Sequence, residues 1–465
     1  MSEESVRSSG WVGRGLLGLC AVLACTPETF EIALPSTSGE GSTTVVADAS
    51  SSGEATETTA GPGSGSTDGS DSSSDTDDCV PVDDGWWDAD WAKRRRLEID
   101  PSVLSGVQQD FPVLVRMPAD GLGPSWGERG GDDIRVRSED PRVPLVYDID
   151  DVDADGELAL WLRLPTIDAA GSPVVAWLYY GQPEASPGRA PAEVWNGYIS
   201  VHHLGSDLRD SAHEHHGSSQ WEPEPCTGDD DCSPRIGVAR SFVPELLHEV
   251  VLADHQAYDL GHDPYDDSIS FTVSLWMRSP IFGQYDWGAL VAKGDDTWRL
   301  HVTNSTVPAD DDRIALGLDC YEPECAELDA TGVIDMDSGN YNLFPTPAEL
   351  PTNLGDNGWH QVVATFEALD LPAMPPPDYV PTTQARLFVD GQLVTASPEL
   401  LGFVLPTDDQ PVRLGHNINT GNRWGGVLDE LRISVGARSA AAIASDYATV
   451  TADHVTVGEE QRRCP

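Results

Sequence analysis

The sequence predicts an all-β protein, two β-sandwich domains after a disordered N-terminal linker. Three observations carry that expectation. From Trp86 onward, short runs rich in β-branched and aromatic residues recur between clusters of Gly, Pro, Asn and Asp, the pattern of antiparallel strands joined by turns. Asp390-Gly391 sits between two alternating apolar runs, Arg386-Leu387-Phe388-Val389 and Gln392-Leu393-Val394, which is the strongest short-range hairpin signal. Before all of this, from Ser36 to Asp78, the chain has no Lys, no Arg and no aromatic residue. Such a tract cannot bury enough apolar surface to offset the entropy of ordering.

The 465 residues suffice for two domains plus an extension. Lys and Arg total 27 against 78 Asp and Glu, a net charge of −51. That charge repels nucleic acid and anionic membrane surfaces, and it supplies hard oxygen ligands, so calcium is the cofactor to test.

The chain opens with an address. Arg7 and Arg14 precede the apolar run Gly15 to Cys25, too short to span a bilayer but suited to a signal peptide. Val22-Leu23-Ala24-Cys25 resembles a bacterial lipobox, which implies cleavage before Cys25 and a lipid on it; an ordinary cleaved signal with Cys25 as a spare thiol stays open. Residues 1–25 are thus assigned as the signal and 26–78 as the linker, whose Ser36–Asp78 tract would span about 35–40 Å as a flexible coil. The body is expected to be exported and held at an outer membrane or cell surface. Export agrees with the remaining cysteines. Cys226 with Cys232 and Cys320 with Cys325 are close enough to staple local loops, leaving Cys79 and Cys464 to join the ends of the folded region.

The first domain, 79–192, starts with the Trp-rich segment Trp86 to Trp91 and continues through runs at Phe111–Arg116, Ile134–Val136, Leu158–Pro165 and Val174–Gly181. Leu158-Ala159-Leu160-Trp161-Leu162-Arg163-Leu164-Pro165 and the ending Val174-Val175-Ala176-Trp177-Leu178-Tyr179-Tyr180-Gly181, with Asp132-Asp133-Ile134-Arg135-Val136, together resemble domain of unknown function 2341, a bacterial surface module. Within it, Asp151, Asp153 and Asp155 followed by Gly156 have the alternating order of a calcium loop. Leu162 occupies the twelfth position and cannot ligate, so the loop is not an EF-hand, and a solvated hairpin turn connecting two strands accounts for it more simply than calcium does.

The second domain, 193–465, contains Phe271-Thr272-Val273-Ser274-Leu275-Trp276-Met277-Arg278, then Gly358-Trp359-His360 through Phe366, the Asp390-Gly391 hairpin, Val412-Arg413-Leu414-Gly415, and Gly426-Val427-Leu428-Asp429-Glu430-Leu431-Arg432-Ile433. A helix is expected over Ala437 to Tyr447, with Ser439 as its N-cap. This succession resembles the laminin-G-like branch of the concanavalin A-like lectin/glucanase family. The resemblance implies a concanavalin A-like jelly roll that binds a polysaccharide or a glycosylated surface partner.

An enzyme is not expected. Retaining glucanases need two carboxylates about 5 Å apart, and Asp429-Glu430, as neighbours on a strand, would point to opposite faces. No Gly-x-Ser-x-Gly elbow and no phosphate loop occurs either. His202, His203, His213, His215 and His216 read as polar loop residues more simply than as a metal site. The candidate sugar site is Trp424 with Asn417, Asn419 and Asn422, because aromatic faces stack on pyranose rings and amides read hydroxyls. A turn-rich connection around one packed tryptophan is the competing reading. Asp210 and Asp429 are further calcium candidates by the same resemblance. A structural or adhesive module, or a cryptic glycosidase, remains an alternative function.

Overall fold

A computed structural model describes residues 79–464 apart from 82–84, 124–125, 127–129, 153–155, 227, 229–231, 263–268, 283–286, 295, 304–312, 320–333, 336–339, 344–348, 351–352, 371–380 and 418–421. The signal, Cys25, the linker, Asp153, Asp155, Cys320, Cys325 and Asn419 therefore lie outside the described residues. The fold is all-β, and no helix among the described residues is long and apolar enough to cross a membrane.

Two sandwiches account for the four sheets. In the first, a three-stranded sheet of Val107–Pro118, Glu157–Asp168 and Tyr147–Val152 faces a sheet built on Lys93–Ile99 and Val174–Tyr180. Leu97, Val113, Val115, Leu160, Leu162 and Leu178 fill the space between them. The alternate residues Leu114, Ala159 and Trp161 emerge on the other face of the three-stranded sheet, where they pack on Trp195, Tyr198, Val201 and Trp276 of the following segment. That sheet is buried on both faces, which is why Leu158 to Leu162 is apolar without alternation.

In the second sandwich, one sheet carries Phe271–Arg278 between Gly426–Val435 and His360–Ala368, extended by Thr382–Val389 and Gln392–Ala396. It faces a sheet of Val250–Leu252, Val412–Leu414, Ala289–Lys293, Trp298–Thr303 and Arg313–Asp319. One continuous core, including Phe271, Leu300, Leu316, Phe366, Leu428 and Ile433, lies between them. The expected helix is present as Ala440–Thr451, and the Ser439 hydroxyl accepts from the Ala442 N–H at 3.2 Å. This helix straddles the junction. Thr449 and Ser445 hydroxyls accept from the backbone of Leu114 and Ser105 in the first sandwich, while Ile443 packs on Val363 and Phe388 of the second.

Two of the expected disulfides, Cys79–Cys464 and Cys226–Cys232, are formed. The sequence reading extends the second domain to residue 465, whereas Val455–Val457 and Gln461–Arg463 both pair with Lys93–Ile99 in the first sandwich. These three-residue strands have no pattern of their own and are defined by a partner more than 350 positions away.

The Asp390-Gly391 hairpin forms as read, with both central residues at positive φ, 50° and 73°, and Val389 opposite Gln392. The turn aspartate also grips a histidine. Asp390 Oδ2 lies 2.9 Å from His360 Nδ1, and Asp356 Oδ1 lies 3.2 Å from Nε2. Burial alone would push the imidazole down, but the hydrogen bonds and charges of Asp390 and Asp356 outweigh it and raise the His360 pKa above its ordinary 6.5. A raised folded-state value means this contribution to stability is complete below about pH 6 and is lost as pH rises through the folded-state value. Unfolding free energy, measured by denaturant titration at pH 6 and pH 9, is expected to fall across this interval, and the His360→Gln variant should show a shallower slope. Equal slopes would rule the pair out as the source.

Candidate functional site

A group of buried charged side chains sits where the two sandwiches meet. Tyr147–Val152 turns Tyr147 and Ile149 into the first core, so Asp148 and Asp150 project from the opposite face, as period two requires. His203 follows the strand Tyr198–His202, and Glu430 lies within Gly426–Val435. Asp148 Oδ2 accepts from Trp195 Nε1 at 2.9 Å and lies 3.1 Å from His203 Nε2. The other imidazole nitrogen, Nδ1, is 2.6 Å from Glu430 Oε1 and 3.9 Å from Asp150 Oδ2. Glu430 Oε2 accepts from Arg432 Nε and Nη2 at 3.0 and 2.6 Å, and Arg432 Nη1 donates to Asp446 Oδ1 of the helix at 2.8 Å. The guanidinium lies over the rings of Trp161 and Trp195, 4.2 and 4.8 Å from their centroids.

Here the structure corrects the reading that Asp429 and Glu430 oppose one another across a strand. Leu428, Leu431 and Ile433 all enter the second core, so two successive residues, 429 and 430, are left on the outer face. The register against Phe271–Arg278 shifts between Ser274 and Trp276, and Glu430 adopts φ +52°. This is a β-bulge, and it directs both carboxylates toward the junction. Leu204, beside His203, is also at positive φ, 57°. Left-handed backbone at residues other than glycine costs on the order of 1–3 kcal/mol each, so both ends of the cluster are held under strain by the surrounding structure.

The electrostatics follow from enclosure. Burial, reinforced by the neighbouring Glu430 charge, drives both Asp150 and Asp429 well above the usual carboxylate range, although the His203 charge opposes it at both. For Glu430 burial also acts upward, but the charges of His203 and Arg432 outweigh it and bring this carboxyl down to about 2. His203 itself is pushed down by burial and, more strongly, up by Glu430 and Asp150, so it lies well above its ordinary value. Two backbone N–H groups, of Arg235 and Ile236, donate to Asp429 Oδ2. Asp429 Oδ1 and both oxygens of Asp150 accept no hydrogen bond from any donor among the described residues.

Above the cluster opens a cleft of about 500 Å³, lined by Trp126, Asp150, Asp151, Arg189, His203, Asp207 and Arg209, among others. Asp151, of the candidate calcium loop, borders it: its Oδ1 accepts from Val152 N and its Oδ2 from Ser206 N. Asp210 accepts four backbone N–H bonds, from Val201, Ala212, His213 and His215, and so organises the histidine loop. Nitrogens of His213 and His215 lie 3.1 and 3.2 Å from the carbonyls of Tyr198 and Ile199.

The candidate sugar platform is corrected. Trp424 is 2 % exposed and packs edge-on to Phe282 within the second core, so it offers no ring face to a pyranose. Asn417 is equally buried, and the half-buried Asn422 lies opposite it in register. Asp148, Asp150 and the true setting of His203 and Glu430 escaped the sequence reading. The signals were present: acids alternating with Tyr147 and Ile149, and the three-residue step from Leu428 to Leu431.

Residues 325–444 match a laminin-G-like family model described as the concanavalin A-like lectin/glucanases superfamily. No curated protein matches the chain. Among solved structures, the binding domain of Paraclostridial Mosquitocidal Protein 1 is similar at TM-score 0.35 and 12% identity, covering 54% of this chain and 52% of that one. The Botulinum Neurotoxin Type G receptor binding domain gives TM-score 0.30 and 12% identity over 54% and 51%. Domain 4 of AbnA, an extracellular arabinanase from Geobacillus stearothermophilus solved with arabinotriose, gives 0.31 and 15% over 54% and 98%. The chain thus spans about half the length of the two toxin domains.

Proposed function

We propose that this chain is a non-catalytic binding protein of the cell surface that takes a polysaccharide or a glycosylated partner. Export by residues 1–25, a lipid on Cys25 and the 26–78 tether belong to the same reading. The observation that carries it is the cleft: an open site of about 500 Å³ lined by one tryptophan, Trp126, and by the charged side chains of Asp151, Arg189 and the ion pair of Asp207 with Arg209 at 3.0 Å. An aromatic body with convergent polar groups is the chemistry that orients a sugar. The laminin-G-type match at 325–444 supports a binding role for the second sandwich, and the cleft residues lie outside that matched stretch.

Hydrolysis is disfavoured by burial. Asp150, Asp429 and Glu430 have side chains or residues no more than 1 % exposed, and Glu430 is already engaged by His203 and Arg432. A glycosidase must bring two carboxylates against the bond it cuts.

The test is binding of the 79–465 segment to an array of bacterial and plant polysaccharides, first with calcium and then with chelator. Binding is expected, and the paired substitution Arg189→Ala with Asp207→Ala should weaken it about 10–100-fold, the loss of one or two charge-assisted hydrogen bonds. Dependence on calcium would bring the Asp151–Asp155 loop into the site. No binding in either condition, with circular dichroism unchanged, would overturn the reading in favour of a spacer or a protein-adhesion module.

A further inference from the structure

We propose that Asp150, His203 and Glu430 form a site for one divalent transition ion of the Zn²⁺ or Mn²⁺ class, joining the first sandwich to the second. The inference goes beyond saccharide binding and stands independently of it.

The three residues come from three separate segments, yet one donor atom of each lies within 4.8 Å of the others. An acidic cluster alone would not make a site. The observation that points to a ligand is Asp150, whose side chain is fully enclosed and whose two oxygens accept no hydrogen bond from any donor among the described residues, the nearest cation being His203 Nδ1 at 3.9 Å. A carboxylate removed from water without a donor is unfavourable unless a proton or a cation neutralises it.

The surroundings orient each ligand toward one point. Asp148, itself fixed by Trp195, holds His203 through Nε2 and leaves Nδ1 facing Glu430 and Asp150. Arg432 holds Glu430 through Oε2 and leaves Oε1 on the same side. A carboxylate behind a histidine, and an ion pair behind a glutamate, are the outer partners that fix metal ligands. Space is kept as well: Gly237 has φ +50°, and a Cβ there would lie 3.0 Å from Asp150 Oδ1. His203 and Asp150 also border the cleft, which places the three donor atoms just beneath its floor.

The donor set selects the ion. Calcium takes six to eight oxygens, whereas one imidazole with two carboxylates suits Zn²⁺ or Mn²⁺. The ion would enter between His203 Nδ1 and Glu430 Oε1, now 2.6 Å apart. These atoms must part to about 3.3 Å, the edge of a tetrahedron with bonds of ~2.0–2.1 Å.

The experiment strips the full chain with chelator, titrates it with Zn²⁺, Mn²⁺ and Ca²⁺ by calorimetry, and counts bound metal by mass spectrometry. One Zn²⁺ or Mn²⁺ per chain is expected. Asp150→Asn, which preserves shape, should weaken it more than 100-fold, and Asp148→Asn about 10–100-fold. The remote Asp453→Asn should bind as the parent does. X-ray absorption on the loaded protein should show a nitrogen and oxygen shell with one imidazole. Absence of Zn²⁺ and Mn²⁺ binding, binding of Ca²⁺ alone, or unchanged affinity in Asp150→Asn would each overturn the proposal, the last by pointing to the histidine loop at His213 and His215.

Discussion

Arg432→Met is expected to lower the unfolding free energy by about 3–5 kcal/mol, the usual cost of removing one partner from a buried ion pair. Arg432 is 3 % exposed and answers two carboxylates at once, Glu430 and Asp446, while its planar face covers Trp161 and Trp195. Methionine refills most of the volume, so the loss would come from two charges left in a low-dielectric junction rather than from a cavity. Equilibrium urea denaturation of the chelated protein measures it. The double variant Arg432→Met with Glu430→Gln should recover part of the loss, because the glutamine no longer needs a cation. A loss below about 1 kcal/mol would mean that water reaches the pair. Since Arg432 bridges the bulged strand, the helix Ala440–Thr451 and the tryptophans at the junction, the loss should also appear as earlier separation of the two sandwiches under limited proteolysis.

The same residues show what sequence reasoning reaches. Local chemistry was legible: Asp390-Gly391 demands positive φ and forms its hairpin, and Ser439 caps the helix it precedes. Strands with a clean period, such as Phe271–Arg278, were equally plain. The site is not legible because one inserted residue reverses every inference about facing, and period two does not hold through Asp429 and Glu430. Trp424 was misread for a different reason. A tryptophan among asparagines looks like a ligand platform, but its fate is set by Phe282 and by the chain pairing of Gly415 with Trp424, contacts that no spacing reveals. The C-terminal strands were missed because their pairing with Lys93–Ile99 is wholly non-local.

That non-local pairing makes the Cys79–Cys464 bridge the second large lever. Its cysteines are 385 positions apart, and the chain-entropy relation assigns about 6 kcal/mol to closing such a loop in the unfolded state. Measured bridges rarely exceed about 5 kcal/mol, so the Cys79→Ser, Cys464→Ser pair should lose about 3–5 kcal/mol by denaturant titration. The Cys226–Cys232 bridge closes a separation of only 6 and should cost about 2 kcal/mol at most when both its cysteines become serine. The order of the two losses is the discriminating result, because both bridges are small contacts in the folded state and differ mainly in the unfolded chain that they restrict. Without the long bridge, Gln461–Arg463 would have to find Lys93–Ile99 across the whole intervening sandwich by diffusion, so refolding should slow as well as weaken. Equal losses for the two pairs would mean that the ends already lie together in the denatured chain, and that the first sandwich keeps residual structure when the second has unfolded.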